Sequence, residues 1–169
     1  MEFPDIYGIV IPMNAAHAAH LVVIPCAAAK VDHAAPARDL YDSANFRHVL
    51  RAAEVIAADQ GDTKVMILSA EHGLLELDAV VEPYDTKMGQ RGCIGTDAVV
   101  DQLVSLAPQS VTSMLPAAYF QRVWEAVTFI NEEGSDEDPW IELLDVYEAS
   151  PGIGYQRGTA STCSRLFAA

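Results

Sequence analysis

The chain has 169 residues, 51% of them hydrophobic and 20% charged, so it can build a folded core and is not a disordered tail. No continuously apolar stretch reaches the roughly eighteen residues of a membrane-spanning helix, and no membrane association is expected. The formal net charge of −14 opposes non-specific binding to a nucleic-acid backbone. Seven of the ten basic side chains nevertheless fall within residues 30–91, so a local cationic pocket remains feasible there.

The amino-terminal sequence and the cysteines indicate a reducing compartment. Residues 1–5 carry no basic stretch of the kind that begins a secretory signal. Cys26, Cys93 and Cys163 share no CxxC spacing and cannot all pair. We therefore expect a cytoplasmic protein with free cysteines, and the sequence makes no prediction about oligomeric state.

The first half of the chain alternates strand-like and helix-like patterns. Residues 21–25 and 64–69 are short β-branched runs typical of buried parallel strands. Between them, apolar side chains recur at helical spacing over residues 45–59, with Ser43 as the predicted N-cap. A strand, a helix and a second strand at this spacing predict a right-handed unit with parallel strands.

The second half continues the alternation. The predicted elements are a helix over 97–106 capped by Thr96, a strand at 110–115, a helix over 117–129, an exposed and dispensable acidic loop at 131–138, a strand at 140–146 and a helix over 159–167. The first twenty residues predict an edge strand at 7–11 and a short helix at 14–20. We therefore expect residues 1–169 to form one α/β domain, with a mostly parallel sheet of about four strands and flanking helices.

The loop after the first predicted strand is a candidate ligand site, because open parallel sheets bind ligands beyond the carboxyl ends of their strands. It begins with Cys26, continues with three alanines and reaches Lys30, whose charge suits an anionic ligand. The loop lacks the glycines of a P-loop, which disfavours ATP binding by that route. Cys26 is equally typical of a small buried core residue.

The second predicted strand ends at Ser69 and is followed by Glu71, His72 and, further on, Asp85. A histidine titrates near neutral pH and can act as a general acid or base. Either carboxylate could activate water or orient His72. The alternative is a loop histidine bonded to backbone, with solvated carboxylates beside it.

Four motifs carry a resemblance to a known family: PCAAAK at 25–30, APARDLYDS at 35–43, ILSAEHGLL at 67–75 and PYD at 83–85. With GIGYQR at 152–157, they resemble a family of small phage, actinobacterial and archaeal proteins. Its members carry a domain-of-unknown-function label or the name YaaA-like peroxide stress protein. That family is similar in turn to uracil-DNA-glycosylase-like α/β domains. The resemblance implies such a fold, with core motifs over 21–86 and a pocket for a nucleobase, a nucleotide or a modified base in DNA.

The chemistry that the resemblance implies is cleavage or exchange of an N-glycosidic bond, which requires neither a metal nor a cofactor. His72 would contact the departing base, and Asp85 or Glu71 would face the water or the sugar cation. Tyrosines would stack on the base, and basic side chains would bind phosphate. The expected substrate-binding residues are Cys26, Lys30, Arg38, Tyr41, Ser69, Tyr84 and Arg157.

Two other functions remain open at this point. The same pocket would serve a nucleotide sensor without catalysis, and the net charge of −14 favours an acidic DNA mimic or interaction protein. A mimic needs its acids in rows on one face, whereas an enzyme needs basic and titratable groups that converge. Zinc binding by His17, His20, Cys26 and His33 is not predicted, because no second CxxC or HxxxH pair accompanies them.

Overall fold

The computed structural model describes residues 18–138, 140–150 and 152–167. The strand predicted at 7–11 lies outside these residues, as does most of the helix predicted at 14–20. His20, which we assigned to that helix, is instead the first residue of a strand.

Twelve elements form the described fold. In chain order they are β1 (His20–Pro25), β2 (Ala35–Pro36), α1 (Ala37–Leu40), α2 (Ala44–Gln60), β3 (Thr63–Ser69), β4 (Gly73–Glu76), β5 (Val80–Val81), α3 (Thr96–Leu106), β6 (Ser110–Ser113), α4 (Ala117–Glu133), β7 (Glu142–Asp145) and α5 (Ile153–Phe167). The main sheet has the order β4-β3-β1-β6-β7, and β2 pairs with β5 in a separate short ribbon. Strands β3, β1, β6 and β7 are parallel, and β4 runs antiparallel to β3. The α/β class and the mostly parallel sheet are confirmed, with one strand more than predicted.

The central strand β1 explains why its sequence is continuously apolar. Val22 and Ile24 face the core beneath α2 and α5, while Leu21 and Val23 face the core beneath α3 and α4. All four are at most 1% exposed. A strand covered by helices on both faces has no solvent side, so the usual alternation of polar and apolar residues is lost.

Helix α2 begins as predicted, because the Ser43 hydroxyl accepts the backbone N–H of Phe46 at 3.0 Å. The predicted cap of α3 is wrong. Gly95 is the N-cap, and Thr96 instead donates its hydroxyl to Glu125 at 2.8 Å. Thr96 therefore ties α3 to α4 rather than starting α3.

The acidic segment 131–138 is only partly a loop. Helix α4 continues to Glu133, and Asn131 exchanges two 2.9 Å hydrogen bonds with the backbone of Ile141. These bonds connect α4 to the approach of β7, so deletion of the whole segment would remove a structural contact. Glu132 and Asp136 are exposed as expected, but the prediction that all of 131–138 is a poorly packed loop is wrong.

Several boundaries also differ from the predictions. Strand β6 ends at Ser113, β7 is confined to four residues, and α5 begins at Ile153 rather than at 159. Glycines 154 and 158 predict a break, but α5 packs along α2 and buries Ala160, and this packing outweighs their low helix propensity. No helix in the described ranges is long and apolar enough to cross a membrane.

Candidate functional site

The loops after β1 and β3 begin side by side. The two strands are parallel neighbours with Pro25 opposite Leu68, and the Cys26 N–H donates to the Leu68 carbonyl at 3.1 Å. The two unusual strand ends in the sequence therefore share one edge of the sheet, as predicted.

Ser69 organises the turn that follows β3. Its fully buried hydroxyl oxygen accepts the backbone N–H groups of Glu71 at 3.1 Å and His72 at 3.0 Å. The same oxygen lies 2.7 Å from the Tyr84 hydroxyl. A serine hydroxyl accepts two hydrogen bonds and donates one. Since both acceptor positions are filled, Ser69 donates its proton to Tyr84.

Tyr41 extends this chain of hydroxyls, because its oxygen lies 2.7 Å from that of Tyr84. Ser69, Tyr84 and Tyr41 carry three protons, and the two hydrogen bonds between them use two. These two bonds therefore leave one phenolic proton unused. Burial raises the pKa of Tyr41 to about 12 and also raises the pKa of Tyr84, so both phenols stay protonated at neutral pH. The cluster thus has a spare hydrogen-bond donor for a ligand.

Lys30 brings a positive charge to the same cluster. Its ammonium nitrogen lies 4.1 Å from the centre of the Tyr84 ring and donates to the carbonyls of Ala27 at 3.1 Å and Ala28 at 3.3 Å. The loop is held closed because Asp42 donates its N–H to the Ala29 carbonyl at 2.9 Å. An ammonium has three donors, so one remains for a ligand.

Cys26 and Tyr119 span the point where the connections of the sheet change direction. The chain leaves β1 toward α2 on one face and leaves β6 toward α4 on the other, and α/β proteins bind ligands in the crevice between such strands. The Cys26 sulfur lies 3.2 Å from the hydroxyl of Tyr119, in the first turn of α4. Burial raises the pKa of Tyr119, which keeps this phenol protonated as well. Sequence reasoning missed Tyr119, because its position in α4 suggested only packing.

His72 and Glu71 supply the titratable groups at the rim. His72 Nε2 lies 3.8 Å from Glu71 Oε1, and both side chains are about 40% exposed. The His72 ring meets the Tyr84 ring edge-on, with their centres 5.3 Å apart. Glu71 is held from its other side by the Thr86 hydroxyl, which donates to Oε2 at 2.6 Å. An acid and a base thus stand in solvent contact beside the buried hydroxyls.

Gln102 of α3 fixes the turn that carries His72. Its amide nitrogen donates to the His72 carbonyl at 3.1 Å, and its amide oxygen accepts the Leu74 N–H at 2.7 Å. Gly73, the first residue of β4, has a φ of +73°, a left-handed conformation that glycine adopts without steric cost. A methyl group built on Gly73 would collide with Gln102 Oε1. No sequence pattern indicated Gln102, which lies about thirty residues from the turn it holds.

Asp85 does not take the position that we predicted for it. It is exposed and has no hydrogen bond or ion pair with any residue that the structure describes. The preceding Tyr84 side chain turns inward to Ser69, whereas Asp85 stays in solvent. Glu71 is the carboxylate next to His72.

Arg38 does not join the cluster either. Its guanidinium pairs with Glu54 at 2.6 Å and lies 3.9 Å from Asp78. Both carboxylates line a cleft beside Thr63, at the amino end of β3 and so opposite to Ser69. The predicted phosphate-binding role of Arg38 is therefore not supported.

Tyr41 contributes a hydroxyl rather than a stacking face. Its side chain is 1% exposed, and its ring packs against Phe46 with a centre-to-centre distance of 5.2 Å. A base cannot reach this ring. Of the two tyrosines predicted to stack, only the partly exposed Tyr84 remains available.

Arg157 reaches the same edge of the sheet from the α5 side. It is exposed and lines a narrow cleft with Pro25, Asn45 and Tyr147. In this cleft the buried Asn45 Oδ1 and Tyr147 hydroxyl lack hydrogen-bond partners among the described residues. Arg157 therefore borders the crevice at the end of β1, without touching the Tyr84 cluster in the structure.

The four residues weighed as zinc ligands do not assemble where they are described. His20 bonds Ser110 at 2.8 Å at the amino end of the sheet, and His33 bonds Asp32 at 2.9 Å. Cys26 contacts Tyr119, and His17 lies outside the described residues. Within the described ranges, no three histidine, cysteine or acidic side chains are close enough to hold a metal ion.

Together, the sheet and its strand-end residues define an α/β protein with a hydroxyl-rich cluster at the carboxyl edge of its sheet. The chain belongs to a family of unknown function (DUF6884), whose model matches residues 21–132. The match includes Cys26, Lys30, Ser69 and Tyr84, whereas β7 and α5 lie beyond it. No curated protein and no solved structure matches the chain.

Proposed function

We propose that this protein is a nucleobase-processing enzyme that hydrolyses or exchanges the N-glycosidic bond of a nucleotide or of a modified base in DNA. The observation that carries the proposal is the chain of buried hydroxyls from Ser69 through Tyr84 to Tyr41, with one proton to spare beside Lys30. Donors fixed in a partly buried site stabilise the negative charge that develops on a departing base. The uracil-DNA-glycosylase-like fold is part of the same proposal, supported by the parallel strands and by the site at their carboxyl edge.

In this mechanism the spare phenolic proton and the Lys30 ammonium bind acceptor atoms of the base, and the partly exposed Tyr84 ring lies beneath it. The bond between the sugar C1′ and the base nitrogen breaks, and its electron pair stays on the base. His72 donates a proton to the base, while Glu71 accepts a proton from the water that attacks C1′.

The charge of the protein favours a small substrate over a long polyanion. Lys30 is the cation that touches the hydroxyl cluster, and the chain as a whole carries −14. A nucleoside is uncharged and a mononucleotide carries a single phosphate group, whereas a DNA backbone presents one negative charge per nucleotide and needs several compensating charges. We therefore expect activity on nucleosides or nucleotides to exceed activity on DNA.

The test is release of free base, measured by liquid chromatography and mass spectrometry, from a panel of nucleosides, nucleotides and oligonucleotides with modified bases. Wild-type protein should release base from at least one of them, and His72→Ala should not. His20→Ala is the matched control, because it removes the same side chain at the opposite end of the sheet and should leave activity unchanged. Equal loss in both variants, or no release from any substrate, would contradict the proposal.

A nucleotide sensor is the second candidate, and the exposure of Glu71 favours it. The Glu71 carboxylate is in solvent contact and one of its oxygens already accepts the Thr86 hydroxyl, while the hydroxyl cluster serves binding without any catalytic base. Saturable nucleotide binding by calorimetry, with no base released over hours, would establish this function instead.

A further inference from the structure

A groove separates helix α4 from the edge strand β7, with a volume of about 660 Å³. One wall is a stripe along α4 that includes Phe120, Trp124 and Asn131, and the other is β7 with Trp140 before it. The stripe has helical spacing, so its side chains lie on a single face of α4. The groove runs beside β7, which is an edge strand of the sheet.

The tryptophans make this groove unusual for a solvent-facing surface. Trp140 is 73% exposed and Trp124 is 46% exposed. Exposed apolar side chains that gather in one concave place are typical of interaction sites, and tryptophan is enriched among residues that dominate binding.

The charge of the groove is of one sign. Its lining includes the carboxylates of Glu132, Glu142, Asp145 and Glu148 and no basic side chain. Burial raises the pKa of Asp145, so this carboxylate is partly desolvated and unneutralised. A partner with positive charges would complement the groove, whereas a second copy of a chain with a net charge of −14 would be repelled.

The backbone of β7 is open on the side of the groove. Strand β7 pairs with β6, and no other strand of the described chain pairs with it. The N–H groups of Glu142 and Val146 donate toward β6, to Gln109 at 3.0 Å and Ser113 at 3.0 Å. Backbone groups alternate in direction along a strand, so those of Leu143 and the N–H of Asp145 point to the open edge, while the Asp145 carbonyl accepts the Glu148 N–H at 3.4 Å.

We propose that this groove binds an extended, basic segment of a partner protein, which pairs with the open edge of β7. Its backbone bonds to Leu143 and Asp145, and its lysines or arginines face the carboxylates. Its apolar side chains lie against Trp124 and Trp140. Recognition of this kind takes affinity from main-chain hydrogen bonds and specificity from alternate side chains.

The two tryptophans of the chain provide a direct assay, because both line the groove. The probe is a synthetic peptide of about ten residues with alternating lysine and valine, capped at both ends. Titration should change the tryptophan emission saturably, with a dissociation constant of about 1–100 μM that rises with salt. A peptide with glutamate in place of lysine should produce no change, and this comparison needs no protein variant.

Two further comparisons distinguish specific binding in this groove from non-specific electrostatic binding to an acidic protein. Glu142→Lys should weaken binding of the peptide at least about tenfold. Asp59→Lys makes an equal charge reversal at an exposed position of α2 and should leave binding nearly unchanged. Methylation of alternate peptide nitrogens should also weaken binding about tenfold, because it removes donors to the strand edge. Equal binding by both protein variants, equal binding of the methylated peptide, or a dimer of the free chain that Glu142→Lys dissociates would each overturn the proposal.

Discussion

Replacement of Gly73 by alanine tests how the turn that carries His72 is held. Gly73 has a φ of +73°, and its missing side chain leaves the space that the Gln102 amide occupies. An alanine at this φ costs about 1 kcal/mol, since L-residues rarely adopt it. Its methyl group would also displace Gln102 from the hydrogen bonds that it makes with His72 and Leu74.

The size of the effect follows from those contacts. Each lost hydrogen bond costs about 0.5–1.5 kcal/mol, and Leu74, which is buried, would keep an unpaired N–H. We assign about 2 kcal/mol to the displacement of Gln102, so Gly73→Ala should lower the free energy of unfolding by about 3 kcal/mol. For a domain of this length, the melting temperature should fall by about 6–12 °C.

A double-mutant cycle separates the two contributions. Gln102→Ala alone should cost about 2 kcal/mol, and the double variant should cost about 3 rather than 5, because the same hydrogen bonds are lost once. Urea denaturation followed by circular dichroism measures all four proteins. Additive costs, or a cost below about 0.5 kcal/mol for Gly73→Ala, would refute the assigned role of Gln102.

The other predictions concern the site itself. His72→Ala should abolish base release but lower the free energy of unfolding, measured in urea, by less than about 1.5 kcal/mol, because the structural hydrogen bonds at this residue come from its backbone. Leu68→Ala, in the core, should lower it by about 2–5 kcal/mol. A His72 variant that unfolds as easily as the Leu68 variant would be structural. Glu71→Gln should lower turnover about 10²–10⁴-fold, and Glu82→Gln, an exposed control, should not; equal rates would exclude Glu71 as the base. Burial raises the pKa of Tyr41 from 10.0 to about 12 in the folded protein, so the folded state holds this phenolic proton more tightly than the unfolded state. The resulting stabilisation is complete below pH 10 and should be lost as the pH rises through 12. Between pH 9 and pH 11.5, the free energy of unfolding measured in urea should fall less for Tyr41→Phe than for the wild-type protein. An equal fall would contradict the raised pKa.

The sequence patterns that predicted the fold correctly were those that depend on residues close together along the chain. The apolar run of β1 and the Ser43 cap of α2 act locally, so the sequence indicated them correctly. Strand β4 was not predicted, because four residues after a tight turn are too few for the alternation of polar and apolar side chains to distinguish a strand from a loop. Helix α5 was predicted too short because its packing on α2 is a tertiary effect.

The same distinction, between local patterns and tertiary contacts, applies to the residues of the candidate site. Parallel neighbouring strands must bring their carboxyl ends together, so the proximity of Cys26 and Ser69 followed from the pattern. The direction of a side chain in a loop does not follow, and this is why Asp85 and Arg38 were assigned to the site. Tyr119 comes from another part of the chain, and only the folded structure places it beside Cys26.

The most direct test of the proposed site is a crystal structure of the protein soaked with nucleobases, nucleosides and mononucleotides. We expect density for a base on the exposed side of Tyr84, with an acceptor atom within hydrogen-bond distance of Lys30 or of the tyrosine hydroxyls, and with the sugar near Glu71 and His72. Saturating soaks that leave this edge of the sheet empty, or that place the ligand elsewhere on the molecule, would contradict the site and the function proposed for it.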